Sequence, residues 1–212
     1  MTPDLVIFDC DGVLVDSEPL SNRVLAANLT RHGYPVDPDA CERLFLGGTI
    51  IGVGDFVRAE GVDLPADWSD GIYTEIHAAL AAGTPLVPGV LDLLDLLDAA
   101  GIAACVGSNG SREKMAITLG QHGLEARFQG LFTSRGFCAP KPDPALYRHV
   151  LAVTGVDAAR AVVIEDSPSG AKAALAAGIR CIGLRRSGDG ALAALGAEEV
   201  ASMDAIAAML GL

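Results

Sequence analysis

The sequence predicts an α/β fold, in which a parallel sheet carries helices on both faces and a helical segment is inserted after the first strand. Short apolar runs alternate with stretches of helical periodicity along most of the 212 residues. The apolar runs are nearly continuous, as expected of strands that are buried on both faces. The region from about Ser17 to Pro85 breaks this alternation, because it has helical patterns but no convincing strand.

Five short apolar runs are the predicted strands. They are LVIF (5–8), IAACVG (102–107), LFT (131–133), AVVIE (161–165) and RCIGL (180–184). Strands that alternate with helices in this way imply parallel pairing, with the connecting helices packed on the two faces of the sheet.

Four segments between the strands have the 3.6-residue period of helices, and all four end at glycine, which often terminates a helix. They are 89–101, 111–123, 142–155 and 167–178. Three of them begin with serine or proline, which favour helix starts. The alanine-rich tail beyond the last predicted strand suits surface helices.

The inserted segment contains four further helical patterns, at 20–33, 38–48, 50–61 and 68–83. Its position between the first strand and the rest of the sheet predicts a separate helical cap. The linker that follows contains Pro85 and Pro88 and suits a hinge.

Composition excludes several classes of partner. The chain has 27 acidic and 15 basic residues, a net charge of −12 and no basic run, which argues against nucleic acid or an anionic membrane. The N-terminus lacks a basic region, and aspartates interrupt its apolar stretch, so we expect neither a signal peptide nor a spanning helix. Five scattered cysteines without CxxC spacing predict reduced thiols. We therefore expect a cytoplasmic protein, and a monomer.

Polar residues follow the first two predicted strands. Asp9 begins the loop after the first strand, and the sequence DCDG places Asp9 and Asp11 at i and i+2, followed by Gly12, which lets a ligand approach the backbone. Two neighbouring carboxylates repel, so a cation, a shared proton or exposure to water must compensate. Ser108 and Asn109 end the second strand at a helix start, where free backbone N–H groups suit a phosphate.

The third and fourth strands also end in charged residues. Lys141 lies between two prolines that stiffen its backbone, and its ammonium group suits a phosphate or a carboxylate. Glu165 and Asp166 end the fourth strand. Carboxylate oxygens from two strand ends, together with a backbone carbonyl, make a hard oxygen site that fits Mg²⁺.

Each of these motifs alone has an ordinary structural interpretation: a turn, a helix cap, a surface charge or a helix start. Four of them, each directly after a different strand of one parallel sheet, are hard to produce by chance. The functional interpretation is therefore favoured.

In this order, DCDGVLVDSE, GSNGS, KPDP and IEDSPSGAKAALAAG resemble the haloacid dehalogenase superfamily. The helical insertion resembles the branch with a small helical cap, which includes sugar-phosphate phosphatases and beta-phosphoglucomutase. The resemblance implies a Rossmann-like, doubly wound core at 1–16 and 86–212 and an α-helical cap at 17–85.

The resemblance also implies an Mg²⁺-dependent phosphatase. Asp9 would be the nucleophile that forms an aspartyl-phosphate, and Asp11 would protonate the leaving alcohol and later take a proton from water. The Asp9 side chain, the Asp11 carbonyl and Asp166 would hold Mg²⁺, with help from Glu165.

The remaining implied contacts hold the substrate. Ser108, Asn109 and Lys141 would bind the phosphoryl oxygens. The cap loop FLGGTIIGVGDFV loosely resembles that of bacterial 6-phosphogluconate phosphatase-like proteins, so Gly48 and Thr49 would contribute to the pocket and the substrate would be a sugar or sugar-acid phosphate. The alternative interpretation of Gly47 and Gly48 is an ordinary turn between two helices.

Three other functions are weighed against a phosphatase. A haloalkanoic dehalogenase is disfavoured, because such enzymes do without the second aspartate and Mg²⁺. A phosphosugar mutase is disfavoured because Ser21 stands where we align the mutase histidine, and the cap loop has no arginine before Arg58. A non-catalytic binding protein is disfavoured because Asp9, Asp11 and Lys141 are all present.

Overall fold

Six strands and nine helices form in the described part of the chain, which is residues 2–45, 49–185 and 190–212 of a computed structural model. The strands are β1 (Leu5–Phe8), β2 (Ala103–Ser108), β3 (Leu131–Thr133), β4 (Ala161–Glu165), β5 (Arg180–Leu184) and β6 (Glu198–Val200). The helices are α1 (Glu18–Arg31), α2 (Pro38–Phe45), α3 (Ile50–Ala59), α4 (Trp68–Ala82), α5 (Val90–Ala100), α6 (Arg112–Gly120), α7 (Ala145–Thr154), α8 (Pro168–Ala176) and α9 (Met203–Leu210).

The strands form one sheet in the order β3-β2-β1-β4-β5-β6, and every neighbouring pair is parallel. The sheet confirms the predicted α/β fold. At its centre, Phe8 of β1 is in register with Val106 of β2 and Ile164 of β4. The carboxyl ends of these three strands therefore lie side by side at one edge.

Helices cover both faces of the sheet, as the continuous apolar strands predict. In β1, Val6 and Phe8 belong to an apolar cluster with residues of α5, α6 and α9. Leu5 and Ile7 point the other way, into a second cluster with residues of α7 and α8. Successive side chains of a strand alternate between faces, so a strand buried on both sides needs apolar residues throughout.

The C-terminal tail differs from the prediction, because it contains β6 as well as α9. Glu198–Val200 pairs with β5 at the edge of the sheet. The strand has three residues and two of them are glutamates, so it lacks the continuous apolar run of a strand buried on both faces. Helix α9 packs its Met203 and Ile206 side chains into the first apolar cluster, and so covers part of the core.

Residue contacts divide the chain into two compact units, Met1–Asp16 with Pro85–Leu212, and Ser17–Thr84. The first contains the sheet. The second contains α1 to α4, and its buried Trp68 donates from Nε1 to Asn28 Oδ1 at 2.8 Å. The assignment of this second unit as a cap stays a prediction.

Two chain-wide expectations concern cysteines and membranes. All five cysteines are free thiols, and all are buried except Cys138, which is half-buried. Within the three described ranges, no helix combines the length and the apolar character that crossing a membrane requires.

Candidate active site

Asp9, Ser108 and Glu165 lie at the carboxyl edge of the three central strands. Asp9 directly follows β1, while Ser108 and Glu165 are the last residues of β2 and β4. The Asp9 N–H donates to the Ile164 carbonyl at 2.9 Å, which continues the pairing of β1 with β4 past the end of the strand. Ligands of open α/β sheets bind at this edge.

Lys141 bridges two of these strand ends. Its Nζ lies 2.6 Å from Asp9 Oδ1 and 2.6 Å from Glu165 Oε1. All three residues are buried, with 6% of Lys141, 8% of Asp9 and 0% of Glu165 exposed. Burial alone would lower the pKa of Lys141, but the two carboxylates outweigh it and hold the pKa well above its ordinary value. The two carboxylates therefore favour the charged form of the buried Lys141 side chain.

Asp9 occupies an environment that disfavours its negative charge. Burial, together with the carboxylates of Glu165 and Asp11, raises the pKa of Asp9 from an ordinary 3.8 to about 7, against the lowering effect of the Lys141 ammonium. Further positive charge at this position would favour the ionised form of Asp9.

Glu165 is held by four donors within the chain. Its Oε1 accepts from Lys141 Nζ at 2.6 Å and from the Tyr147 hydroxyl at 2.9 Å. Its Oε2 accepts from the Ser167 N–H at 3.2 Å and the Ser167 hydroxyl at 2.9 Å. A carboxylate has about four lone-pair sites, so these four hydrogen bonds use about all of its capacity to accept. Glu165 thus fixes the position of Lys141.

Asn109 fixes the backbone of Lys141 from the other side. Its Oδ1 accepts from the Lys141 N–H at 2.9 Å and from the Ser134 hydroxyl at 3.0 Å, and its Nδ2 donates to the Lys141 carbonyl at 3.3 Å. The side chain of Asn109 therefore ties the end of β2 to the loop that carries Lys141. Its predicted contact with a phosphoryl group stays a prediction.

Ser108 and Gly12 shape the loops around Asp9. Ser108 is buried, and its Oγ accepts from the Gly110 N–H at 2.9 Å. Gly12 has a φ of +83°, a conformation that favours glycine, and its N–H donates to the Val15 carbonyl at 2.8 Å. The roles predicted for both in substrate binding stay predictions.

Three carboxylates at the edge of the sheet could hold a metal ion. Asp9, Glu165 and Asp166 each offer an oxygen, and these oxygens lie within 4.8 Å of one another. Hard carboxylate oxygens suit Mg²⁺. The Asp11 carboxylate contacts Lys114 instead, with its Oδ1 2.6 Å from Lys114 Nζ. Metal ligation through the main-chain carbonyl of Asp11 stays a prediction.

The two residues predicted from the inserted segment fall outside this group. Thr49 belongs to the second unit, where its Oγ1 accepts from the Gly52 N–H at 3.0 Å and so begins α3. Gly48 lies outside the described residues. The predicted role of both in the pocket stays a prediction.

Sequence analysis missed two residues at the edge of the sheet, Tyr147 and Lys114. Tyr147 lies on the apolar face of α7, where helical periodicity identifies it only as a core residue. Lys114 lies in the first turn of α6, where charged residues are usually solvated. The four motifs at strand ends gave no signal for either.

Comparison with known proteins places these features in a family. A family model described as haloacid dehalogenase-like hydrolase matches residues 3–178. The chain is 30% identical to 6-phosphogluconate phosphatase of Escherichia coli, over 83% of this chain and 80% of that protein. It is 29% identical to phosphoglycolate phosphatase of Pseudomonas fluorescens, over 86% of this chain and 69% of that protein.

Solved structures of similar proteins share the fold. A HAD family hydrolase from Deinococcus radiodurans, crystallised with bound phosphate and sodium, is 31% identical with a TM-score of 0.83, over 99% of this chain and 96% of that one. A candidate beta-phosphoglucomutase from Thermotoga maritima is 28% identical with a TM-score of 0.81, over 98% of both chains.

Proposed function

This chain belongs to the haloacid dehalogenase-like hydrolase family and is a phosphatase, and from that premise we propose that it hydrolyses a small phosphorylated metabolite, a sugar or sugar-acid phosphate, with Mg²⁺ and an aspartyl-phosphate at Asp9. One observation carries the proposal. A buried lysine, Lys141, lies 2.6 Å from both Asp9 and Glu165 at the carboxyl edge of the sheet.

In the first step, a carboxylate oxygen of Asp9 attacks phosphorus. The bond from phosphorus to the alcohol oxygen breaks, and Asp11 gives its proton to that oxygen. Asp9 must be ionised to attack, and the Lys141 ammonium favours the ionised form. Because Asn109 and Glu165 fix both ends of Lys141, its charge stays beside the nucleophile.

In the second step, water attacks the phosphorus of the aspartyl-phosphate. Asp11, now ionised, takes a proton from the water, and the bond from phosphorus to the Asp9 oxygen breaks. Inorganic phosphate leaves and the Asp9 carboxylate is regenerated. The two neighbouring aspartates thus differ in role, because Asp9 forms the covalent bond while Asp11 moves the proton.

Asp9 and Asp166, with the Asp11 carbonyl, are the ligands we assign to Mg²⁺. When bound, the ion neutralises the like charges of the carboxylate and the phosphate. We assign Glu165 to Lys141 instead, because its oxygens already accept four hydrogen bonds. The raised pKa of Asp9 supports a cation at this position.

Local positive charge lets this acidic chain bind an anion. The net charge is −12, and the chain has three lysines, Lys114, Lys141 and Lys172. Two of them pair with carboxylates at the edge of the sheet. We propose that Lys141, the Ser108 hydroxyl and backbone N–H groups bind the phosphoryl oxygens.

In this proposal the second unit acts as a cap that recognises the leaving group, with Gly48 and Thr49 in the pocket. The choice of a sugar or sugar-acid phosphate is supported by the similarity to 6-phosphogluconate phosphatase. Similarity to phosphoglycolate phosphatases makes a shorter acid the nearest alternative.

The test is phosphate release with Mg²⁺ from hexose and pentose phosphates, 6-phosphogluconate, sugar-alcohol phosphates, phosphoglycolate and nucleotides. D9N serves as the inactive variant. The matched control is D92N, the same substitution at an exposed position of α5. We expect release from one chemical cluster of substrates, lost in D9N and retained in D92N.

Two results would overturn the proposal. Undiminished release by D9N would exclude Asp9 as the nucleophile. Conversion of beta-glucose 1-phosphate to glucose 6-phosphate without net phosphate release would identify a mutase. The Thermotoga maritima neighbour is a candidate for that activity.

A further inference from the structure

Lys114 is a charged residue beside the site that the proposed chemistry does not use. Its Nζ lies 2.6 Å from Asp11 Oδ1, and about a fifth of each side chain is exposed, 22% and 21%. This contact joins Lys114 in α6 to Asp11 in the loop after β1.

The backbone of Lys114 is held on both sides. The Ser111 hydroxyl, which caps α6, accepts from the Lys114 N–H at 3.1 Å, and the Thr118 hydroxyl donates to the Lys114 carbonyl at 3.0 Å. A lysine anchored in the first turn of a helix loses less freedom on forming an ion pair than one on a loop.

Gly110 leaves the space that the Asp11 carboxyl group occupies. A Cβ at Gly110 would lie 3.1 Å from Ser108 Oγ and 3.3 Å from Asp11 Oδ2, both tighter than ordinary contacts. Oδ1 of Asp11 meets the Lys114 ammonium, while Oδ2 lies beside the space that a side chain at Gly110 would enter. The contact with Lys114 therefore restricts the rotation of the carboxyl group.

We propose that Lys114 is a positioning residue that holds the Asp11 carboxyl group in the orientation needed for proton transfer. This inference rests on the proposed function, in which Asp11 gives a proton to the leaving alcohol and takes one from water. Proton transfer requires hydrogen-bond reach and alignment, so a carboxyl group that rotates freely is a poorer acid and base. Lys114 acts through Asp11 and touches no reacting atom.

Substrates with different leaving groups distinguish this positioning role of Lys114 from a general structural role. An alkyl phosphate needs a proton on its leaving oxygen, whereas p-nitrophenolate leaves without one. Loss of Lys114 should therefore slow both steps with an alkyl phosphate, but only the second step with p-nitrophenyl phosphate. An aspartyl-phosphate would then accumulate, and the first turnover would appear as a burst.

The experiment compares K114M, K114R and D11N with the parent protein in saturating Mg²⁺. K172M is the matched control, because Lys172 is exposed in α8. Melting temperatures establish that each variant is folded. Stopped-flow absorbance follows p-nitrophenolate, and phosphate release follows the best alkyl substrate from the panel.

We expect K114M to lose about 10- to 100-fold in kcat on the alkyl phosphate, with KM changed less than about threefold, since general acid–base catalysis is worth roughly 10²- to 10⁴-fold. With p-nitrophenyl phosphate, K114M should release about one equivalent per site in a fast burst and then turn over slowly. D11N should show the same pattern more strongly. K114R should recover most of the activity, and K172M should match the parent.

Two outcomes would overturn the inference. Parent-like kinetics of K114M on both substrates would reduce the ion pair to a surface contact. A burst slowed as much as alkyl turnover would mean that Lys114 acts on the phosphoryl group directly. Failure of the proposed function is separate, because it would appear as activity in D9N whatever Lys114 does.

Discussion

At the scale of single residues, Gly170 shows how tightly the site is packed. This glycine lies in the first turn of α8, and a Cβ placed on it would overlap the carboxyl group of Glu165. A larger residue must push Glu165 away, and Glu165 holds Lys141. Glu165 therefore excludes any side chain from position 170.

Substitution G170A should consequently destabilise the protein, although alanine is the better helix former by about 1 kcal/mol. We expect a loss of about 1–3 kcal/mol in the free energy of unfolding from overpacking. Phosphatase kcat should fall with it, because Lys141 loses its support. Urea unfolding and steady-state kinetics measure the two effects.

The matched control is G71A, a glycine within α4 that has no atom within 4 Å of the position of a Cβ. There the same change should stabilise the protein by about 0.5–1 kcal/mol and leave kcat unchanged. Equal stabilisation of both variants would show that Glu165 can move away from Gly170 at no cost.

The residues that form the site differ in how far sequence alone could identify them. Asp9 directly follows β1 and Glu165 ends β4, and residues at the carboxyl ends of parallel strands meet at one edge of the sheet. Tyr147 and Lys114 lie within helices, and periodicity gives the face of a helical residue but not the partner of its polar end. Their contacts appear only when α7 and α6 are packed on the sheet.

At the scale of elements, the start of α8 is coupled to the site by one hydroxyl group. Ser167 Oγ accepts from the Gly170 N–H at 3.0 Å, which caps the helix, and donates to Glu165 Oε2 at 2.9 Å. The same side chain thus begins α8 and orients Glu165.

Substitution S167A should cost about 1 kcal/mol of stability from the lost cap. It should also lower kcat about tenfold, because removing a partner that orients a functional carboxylate has effects of this size. The control is S202A, which removes the cap of α9, where Oγ accepts from the Ala205 N–H at 3.3 Å. A similar loss of stability with unchanged kcat is expected there. If S202A lowered kcat equally, the loss in S167A would reflect stability alone.

Elements were predictable where one rule decided them. Strands β1 to β5 are apolar because the sheet is covered on both faces, and the sequence shows this directly. Strand β6 is an edge strand of three residues with two glutamates, so its pairing with β5 depends on the sheet already being formed. Helix α7 begins at Ala145, three residues later than predicted, because the sequence Pro142-Asp143-Pro144 precedes it outside the helix.

At the scale of the whole molecule, the buried charge of Asp9 links stability to pH and metal. The pKa of Asp9 is about 7 when folded and near its ordinary 3.8 when unfolded. The folded protein thus binds this proton more tightly. The stability that protonated Asp9 contributes is fully present below about pH 4 and is lost as pH rises through about 7.

We therefore expect Mg²⁺ to raise the melting temperature of the parent protein more at about pH 8 than at about pH 5, where protons compete for Asp9. Differential scanning fluorimetry with and without Mg²⁺ at both pH values measures this. D9N is the control and should show little dependence of the Mg²⁺ effect on pH. An equal shift in D9N would place the ion at other carboxylates.

The identity of the leaving group lies beyond what sequence patterns specify. In the proposed function the motifs after the strands bind the phosphoryl group, which is common to all the candidate substrates, so their proposed chemistry follows from residue type and position. Of the two predicted cap residues, Gly48 lies outside the described residues and Thr49 caps α3, and no periodicity encodes which substrate group such a residue would meet. The substrate panel addresses this directly.

The covalent step at Asp9 is best tested by trapping. The parent protein is mixed with its best substrate and Mg²⁺, quenched in acid within milliseconds, reduced with borohydride and mapped by peptide mass spectrometry. An acyl phosphate at Asp9 should appear there as the reduced alcohol side chain, only when substrate is present. Turnover without modification of Asp9, or with modification of another carboxylate, would show that Asp9 is not the nucleophile.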